Sequence, residues 1–190
     1  KTFAKQKFNF VFRIDKLMWK LFHKPLTFDD MLNEYLDTLT NAVKKEGYIG
    51  LKSVIAYGYG LDVHDRDLGD AREVYEELSK KNVLPLPLEK KDERILSKEK
   101  ILRDFLTCRA IEKSIEFDIP FLMHTGIGES PIINAQKCNP ILLYDLLRDE
   151  ELGKAKFILL HAGYPYAQEI GWLVNGFTNV YADLSCTIPW

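Results

Sequence analysis

Two hydrophobic periods alternate along the chain. Phe8 to Ile14 is a short apolar run ending in Asp15 and predicts a strand. Met31, Tyr35, Leu36, Leu39 and Val43 then recur at helical spacing. Thr27, with Asp30 three residues on, supplies an N-cap in a weak form of the capping box, and Gly47 a C-terminal stop. Leu51 to Tyr57 predicts a second strand, ended by Gly58-Tyr59-Gly60, and a helix follows over 70–81. Residues 83–91 carry Pro85 and Pro87 and then a charge run, and read as a solvated loop. Ser97 is the expected cap of the longest helix, which ends near Asp118. Pro120 marks the entry to a third strand, Phe121 to His124. Asn139-Pro140 opens a helix as N-cap and first-turn proline. Phe157 to Leu160 is the fourth strand, Pro165 starts a helix reaching about Asn175, and Val180 to Leu184 is the fifth strand.

The runs Phe121-Leu122-Met123 and Phe157-Ile158-Leu159-Leu160 are apolar at every position, as in parallel strands covered on both faces. Strand-helix-strand order gives a parallel α/β sheet. The pattern alone does not separate an open sheet from part of a barrel. At 190 residues the chain is one domain's length, short of the roughly 250 of a TIM barrel.

Composition narrows the function classes. With 46% hydrophobic and 28% charged residues, disorder is excluded. A net charge of -2 gives no reason for nucleic acid or an anionic membrane as partner. No apolar run reaches the ~18 residues of a membrane span. Cys108, Cys138 and Cys186 have no metal-site spacing, and read as reduced thiols of a cytoplasmic protein. Cys108 reads as a small core residue of an amphipathic helix.

Active sites of parallel α/β folds lie at the C-terminal ends of strands. His124 and His161 fall at two such ends, each followed at once by a small-residue turn, Thr125-Gly126 and Ala162-Gly163. On adjacent strands ~4.8 Å apart, their imidazoles would converge on one ion. The alternative is a pair of buried, hydrogen-bonded histidines. Glu129, on the loop after His124, is a candidate proton acceptor or contact for a cationic substrate group. Tyr164 and Tyr166 are candidate substrate hydrogen-bond donors. Asp183, among apolar neighbours, needs a partner, and is a candidate support for a metal-bound histidine. Lys52 lies at the wrong end of its strand and is expected in a structural salt bridge, while His23 and His64 read as surface residues. There is no GxSxG elbow and no Walker A loop.

The segments Phe121-Leu122-Met123-His124-Thr125-Gly126 and His161-Ala162-Gly163-Tyr164-Pro165-Tyr166 resemble the amidohydrolase-related family of metal-dependent TIM-barrel hydrolases. The branch also found fused to glutamine synthetase-like proteins is the most similar. Val180 to Ser185, Asn139 to Leu143, Leu51 to Tyr57 and Phe12 to Asp15 carry the resemblance along most of the chain. Gly58 departs from it, standing where the branch usually has an arginine, and Glu129 replaces an aspartate. The resemblance implies a partial (β/α)8 barrel, residues 1–190 covering strands three to seven, with the N- and C-terminal strands missing. It implies a divalent metal held by His124 and His161, with His161 also acting on the bound water or the substrate. The metal would be zinc, with manganese or iron as alternatives. The implied activity is hydrolysis of an amide or related carbon centre in a small molecule by metal-activated water. The strand-one His-x-His and strand-eight Asp are absent here, so the isolated chain is expected to be inactive or nearly so. Two other readings stay open: a non-catalytic assembly or regulatory domain, and a metal-dependent decarboxylase on the same barrel. Open strand edges would favour a homo-oligomer.

Overall fold

The computed structural model describes residues 9–126 and 134–186. Five short strands, β1 (Phe12–Arg13), β2 (Leu51–Ser53), β3 (Phe121–His124), β4 (Phe157–Leu160) and β5 (Val180–Ala182), pair in chain order and all in parallel. This order decides what the sequence pattern left open. An open doubly wound sheet reverses its strand order at a switch point. Strict chain order with right-handed crossovers instead puts every helix on one face, as in a sector of a (β/α)8 barrel.

The register shows the two faces. Phe12, Leu51, Phe121, Phe157 and Val180 align in one row across the sheet. From Leu51 to Val180 that row is buried beneath the helices. The next row, Arg13, Lys52, Leu122, Ile158 and Tyr181, points to the other face, as successive strand residues must. Here burial falls away: Leu122 and Ile158 are half-buried and Tyr181 is 53% exposed.

The helices are α1 (Ile14–Phe22), α2 (Phe28–Lys44), α3 (Leu68–Lys80), α4 (Glu93–Glu116), α5 (Tyr144–Arg148) and α6 (Ala167–Gly176). Helix α2 forms as its sequence predicts. The Thr27 side chain accepts the Asp30 N–H at 3.2 Å. Gly47, at φ +76°, turns the chain so that the Tyr48 N–H reaches the Ala42 carbonyl at 3.1 Å.

Several boundaries differ from expectation. The first strand stops at Arg13, because Ile14, Leu17, Met18, Leu21 and Phe22 form the buried stripe of α1, masked in the sequence by the apolar run before it. Strand β2 ends at Ser53, and residues 55–57 form a 3₁₀ turn. Helix α4 is capped by Asp92, which accepts the Ile95 N–H at 2.8 Å, while the Ser97 hydroxyl donates back to the Glu93 carbonyl from inside the helix. Asn139 does cap Ile141, but the turn over Pro140–Leu143 is 3₁₀ and precedes a helix of five residues. Pro165 stays outside α6, which begins at Ala167.

Helix α4 is not amphipathic in its surroundings. Every residue from Leu102 to Cys108 is buried, so neighbours cover it on all sides. Its buried charges are therefore paired. Asp104 takes Lys100 at 2.8 Å and Arg66 at 3.3 Å. Glu99 takes Lys91 at 2.5 Å, Arg103 at 2.7 Å and the Tyr59 hydroxyl at 2.8 Å. Lys91, expected in a solvated loop, has its side chain only 1% exposed because it reaches inward to Glu99.

The three cysteines are free thiols. Cys108 and Cys138 are buried, and burial pushes both thiols up, that of Cys138 to about 11. Cys186 is exposed. In native protein a disulfide reagent is expected to titrate Cys186 rapidly, and the other two only after unfolding. Rapid reaction of all three would contradict this packing. No helix among the described residues is long and apolar enough to cross a membrane.

Candidate metal-binding histidine pair

The site forms where β3 and β4 end. His124 closes β3 opposite Leu160, and His161 is the next residue of the neighbouring strand's chain. The chain leaves β4 through three consecutive left-handed residues, His161 at φ +67°, Ala162 at +44° and Gly163 at +61°. For two residues with side chains that conformation is strained, and surrounding contacts must hold it. It swings the His161 ring towards His124, the two ring centroids lying 4.6 Å apart at 61°.

The turns after the two histidines interlock. Gly126, at φ +62°, lies so close to the opposite backbone that a Cβ would fall 2.2 Å from the Gly163 carbonyl carbon. The buried Thr125 hydroxyl donates to the Leu160 carbonyl at 2.6 Å, and the Gly126 N–H to the Cys138 carbonyl at 2.8 Å. His124 is only 2% exposed, with the Tyr57 ring packed edge-on against it at 4.4 Å.

A hydrogen-bond chain sets the tautomer of His161. The Ser185 hydroxyl lies 2.6 Å from Asp183 Oδ1 and 2.8 Å from His161 Nδ1, and the Ser185 carbonyl lies 3.3 Å from the same nitrogen. Burial opposes the Asp183 charge, but the N–H of His161 and the hydroxyl and N–H of Ser185 outweigh it and hold this carboxyl below its usual range. An ionised Asp183 only accepts, so the single Ser185 proton goes to it. Both Ser185 oxygens facing the imidazole are then acceptors, and Nδ1 carries the proton. In the neutral ring this tautomer leaves the lone pair on Nε2, the arrangement a metal ligand needs.

The donor set thus suits two positions of a divalent metal. Structural and catalytic zinc sites have three or four protein ligands. Among the described residues, no three His, Cys, Asp or Glu side chains come together to complete such a set.

The other candidates fall unevenly. Asp183 joins His161 directly. Glu129 lies outside the described residues. Tyr164 is 52% exposed, and Tyr166 is half-buried at the entry to α6. Lys52 departs from expectation: it makes no ion pair among the described residues. Burial first, and then Arg13 beside it, lower its pKa, with Asp15 and Asp183 acting in the opposite sense. Its register partner on β1 is a cation, so a simple pair does not form. His23 and His64 are exposed. Gly58 is explained by packing: a Cβ there would meet Leu88 Cδ2 at 2.6 Å, so Leu88 fills the space above it. Ser185, Tyr57 and Asp15 take their places only in the folded chain. Of these, Ser185 was visible as the second residue after Asp183, the spacing of a local side-chain turn.

Known proteins share this architecture. The crystal structure of a protein described as a metal-dependent hydrolase from Lactobacillus casei ATCC 334 superposes with a TM-score of 0.76 at 25% identity, over 92% of this chain and 43% of that one. Protein fluG of Emericella nidulans is 30% identical over 152 residues, 80% of this chain and 17% of that protein. The chain thus spans less than half the length of either relative. The amidohydrolase family model matches residues 35–190, and the chain belongs to the amidohydrolase family.

Proposed function

We propose that this chain supplies part of the active site of a metal-dependent hydrolase acting on an amide or related carbon centre of a small molecule. His124 and His161 contribute two ligands to a divalent cation, zinc in the first instance. The convergence of the two imidazoles at 4.6 Å carries the reading. When bound, the cation acts as a Lewis acid on the substrate's polarised oxygen. The chain's own residues prepare for this. Ser185 and Asp183 engage the Nδ1 side of His161, which leaves Nε2 as the ligand atom, and the Tyr57 ring packs against one side of His124. Metal affinity is the property to measure on this chain, which spans less than half of either relative.

Zinc binding, followed by competition with a chromophoric chelator, is expected to be lost in His124→Ala and in His161→Ala. Ser185→Ala keeps both imidazoles but leaves Nδ1 only the longer contact to the residue-185 backbone carbonyl at 3.3 Å, and should weaken binding roughly tenfold. Zinc affinity unchanged by both histidine substitutions would sink the proposal.

A further inference from the structure

A cavity of about 300 Å³ lies at the C-terminal ends of β1 and β2 and shares Tyr57 with the surroundings of His124. It lies at the lower end of the about 300–1,000 Å³ typical of small-molecule sites. Tyr57 belongs to both places: its ring lines the cavity and packs against His124. The other walls come from α1, from the segment after β2, and from the proline-rich stretch that the sequence reads as loop.

The charges around this cavity do not balance. Arg13, Lys16, Lys91 and Arg103 line it. Against these four cations stand two carboxylates, Asp15 in the lining and Glu99 behind it. Asp15 accepts the Val54 N–H at 2.9 Å and lies 4.0 Å from Arg13, so its one charge is shared between Arg13 and Arg103. Glu99 serves Lys91 and Arg103 together. Lys91 has three N–H donors and spends two, on Glu99 and on the Leu84 carbonyl at 3.0 Å. Arg103 Nη1 lies 3.8 Å from the Met18 sulfur, a weak acceptor. Buried cations with unspent donors are costly unless an anion meets them.

The remaining lining is apolar, with Trp19, Ile55, Leu86 and Leu88 among it, and Leu88 is seated there because residue 58 has no side chain. A bare phosphate would leave these walls in water. An anion with an apolar body would cover them.

We infer that this cavity binds a small organic carboxylate, its charged end among Arg13, Lys91 and Arg103 and its apolar body against Trp19, Ile55 and Leu88. Calling the occupant the substrate rests on the hydrolase reading above. The preference for a carboxylate does not.

The test is calorimetric titration of the metal-free chain with benzoate and cyclohexanecarboxylate, with their amides, and with inorganic phosphate. Both acids should bind roughly tenfold or more tightly than their amides, since the amides lack the charge-assisted bonds. Phosphate should bind more weakly than either acid. Arg13→Gln should weaken benzoate about tenfold, and Asp15→Asn, which removes a like charge, should strengthen it. Lys16→Gln, on the exposed side of α1, should weaken it in the same direction as Arg13→Gln and carries little risk to folding. His161→Ala should leave benzoate binding intact. That separates the two proposals: zinc bound at the histidines with no acid bound in the cavity would overturn this one alone. Equal affinity for acid and amide, phosphate as tight as benzoate, or tighter binding in Arg13→Gln would also overturn it.

Discussion

Replacing Glu99 with glutamine will destabilise the chain by about 3–5 kcal/mol, the range for removing one partner of a buried ion pair. Glu99 is fully buried in α4 and is the shared acceptor for Lys91, Arg103 and the Tyr59 hydroxyl. Glutamine keeps the shape but loses the charge, leaving two largely buried cations without the carboxylate they share. Arg103 is also sandwiched over the rings of Tyr59 and Phe22, at 4.4 and 5.3 Å, and these contacts only partly replace a carboxylate. Urea unfolding of the two proteins measures the difference. A loss below about 1 kcal/mol, the worth of an exposed pair, would mean that this cluster is solvated.

The second large effect is expected at Gly126. Alanine there must adopt φ +62°, at about 1–2 kcal/mol for the left-handed conformation. Its Cβ would also overlap the Gly163 backbone at 2.2 Å, and backbone does not swing aside as a side chain does. Overpacking of this kind adds about 1–3 kcal/mol. Gly47→Ala is the internal control. Gly47 has φ +76° but nothing within 4 Å of the added methyl, so it should show the conformational cost alone. The excess at Gly126 is then the price of separating the two histidine turns, and zinc affinity should fall with it. Equal losses at the two glycines would contradict the interlocked turns.

Much of this architecture was legible in the chain. The order of strands and helices, the Thr27 cap, and the placement of His124 and His161 at strand ends all follow from local pattern, because caps and strand ends are short-range features. The errors share a cause as well. Ile14 begins a helix although it ends an apolar run, since it continues Phe8, Phe10 and Phe12 at the period of a strand and also opens the helical stripe Ile14, Leu17, Met18 and Leu21. Lys91 looks like a surface charge, and only the approach of α4, with Glu99 buried in it, takes it inside. Nothing local to Asp15 marks its role, because its partner, the Val54 N–H, lies 39 positions away.

By itself, then, the sequence determined which residue types stand at the ends of parallel strands, and with them the family. Tertiary structure decided the rest. Strand order selected a barrel sector over an open sheet, which no local period encodes. The left-handed exit from β4 and the meeting of Gly126 with Gly163 brought the imidazoles to 4.6 Å. Ser185 then set the tautomer of His161, and the packing of residues 86–91 against the segment after β2 brought Lys91 to the same cavity as Arg13, Lys16 and Arg103. Each of these depends on contacts between segments distant in the chain, whose distances and shared burial exist only once the sheet has formed.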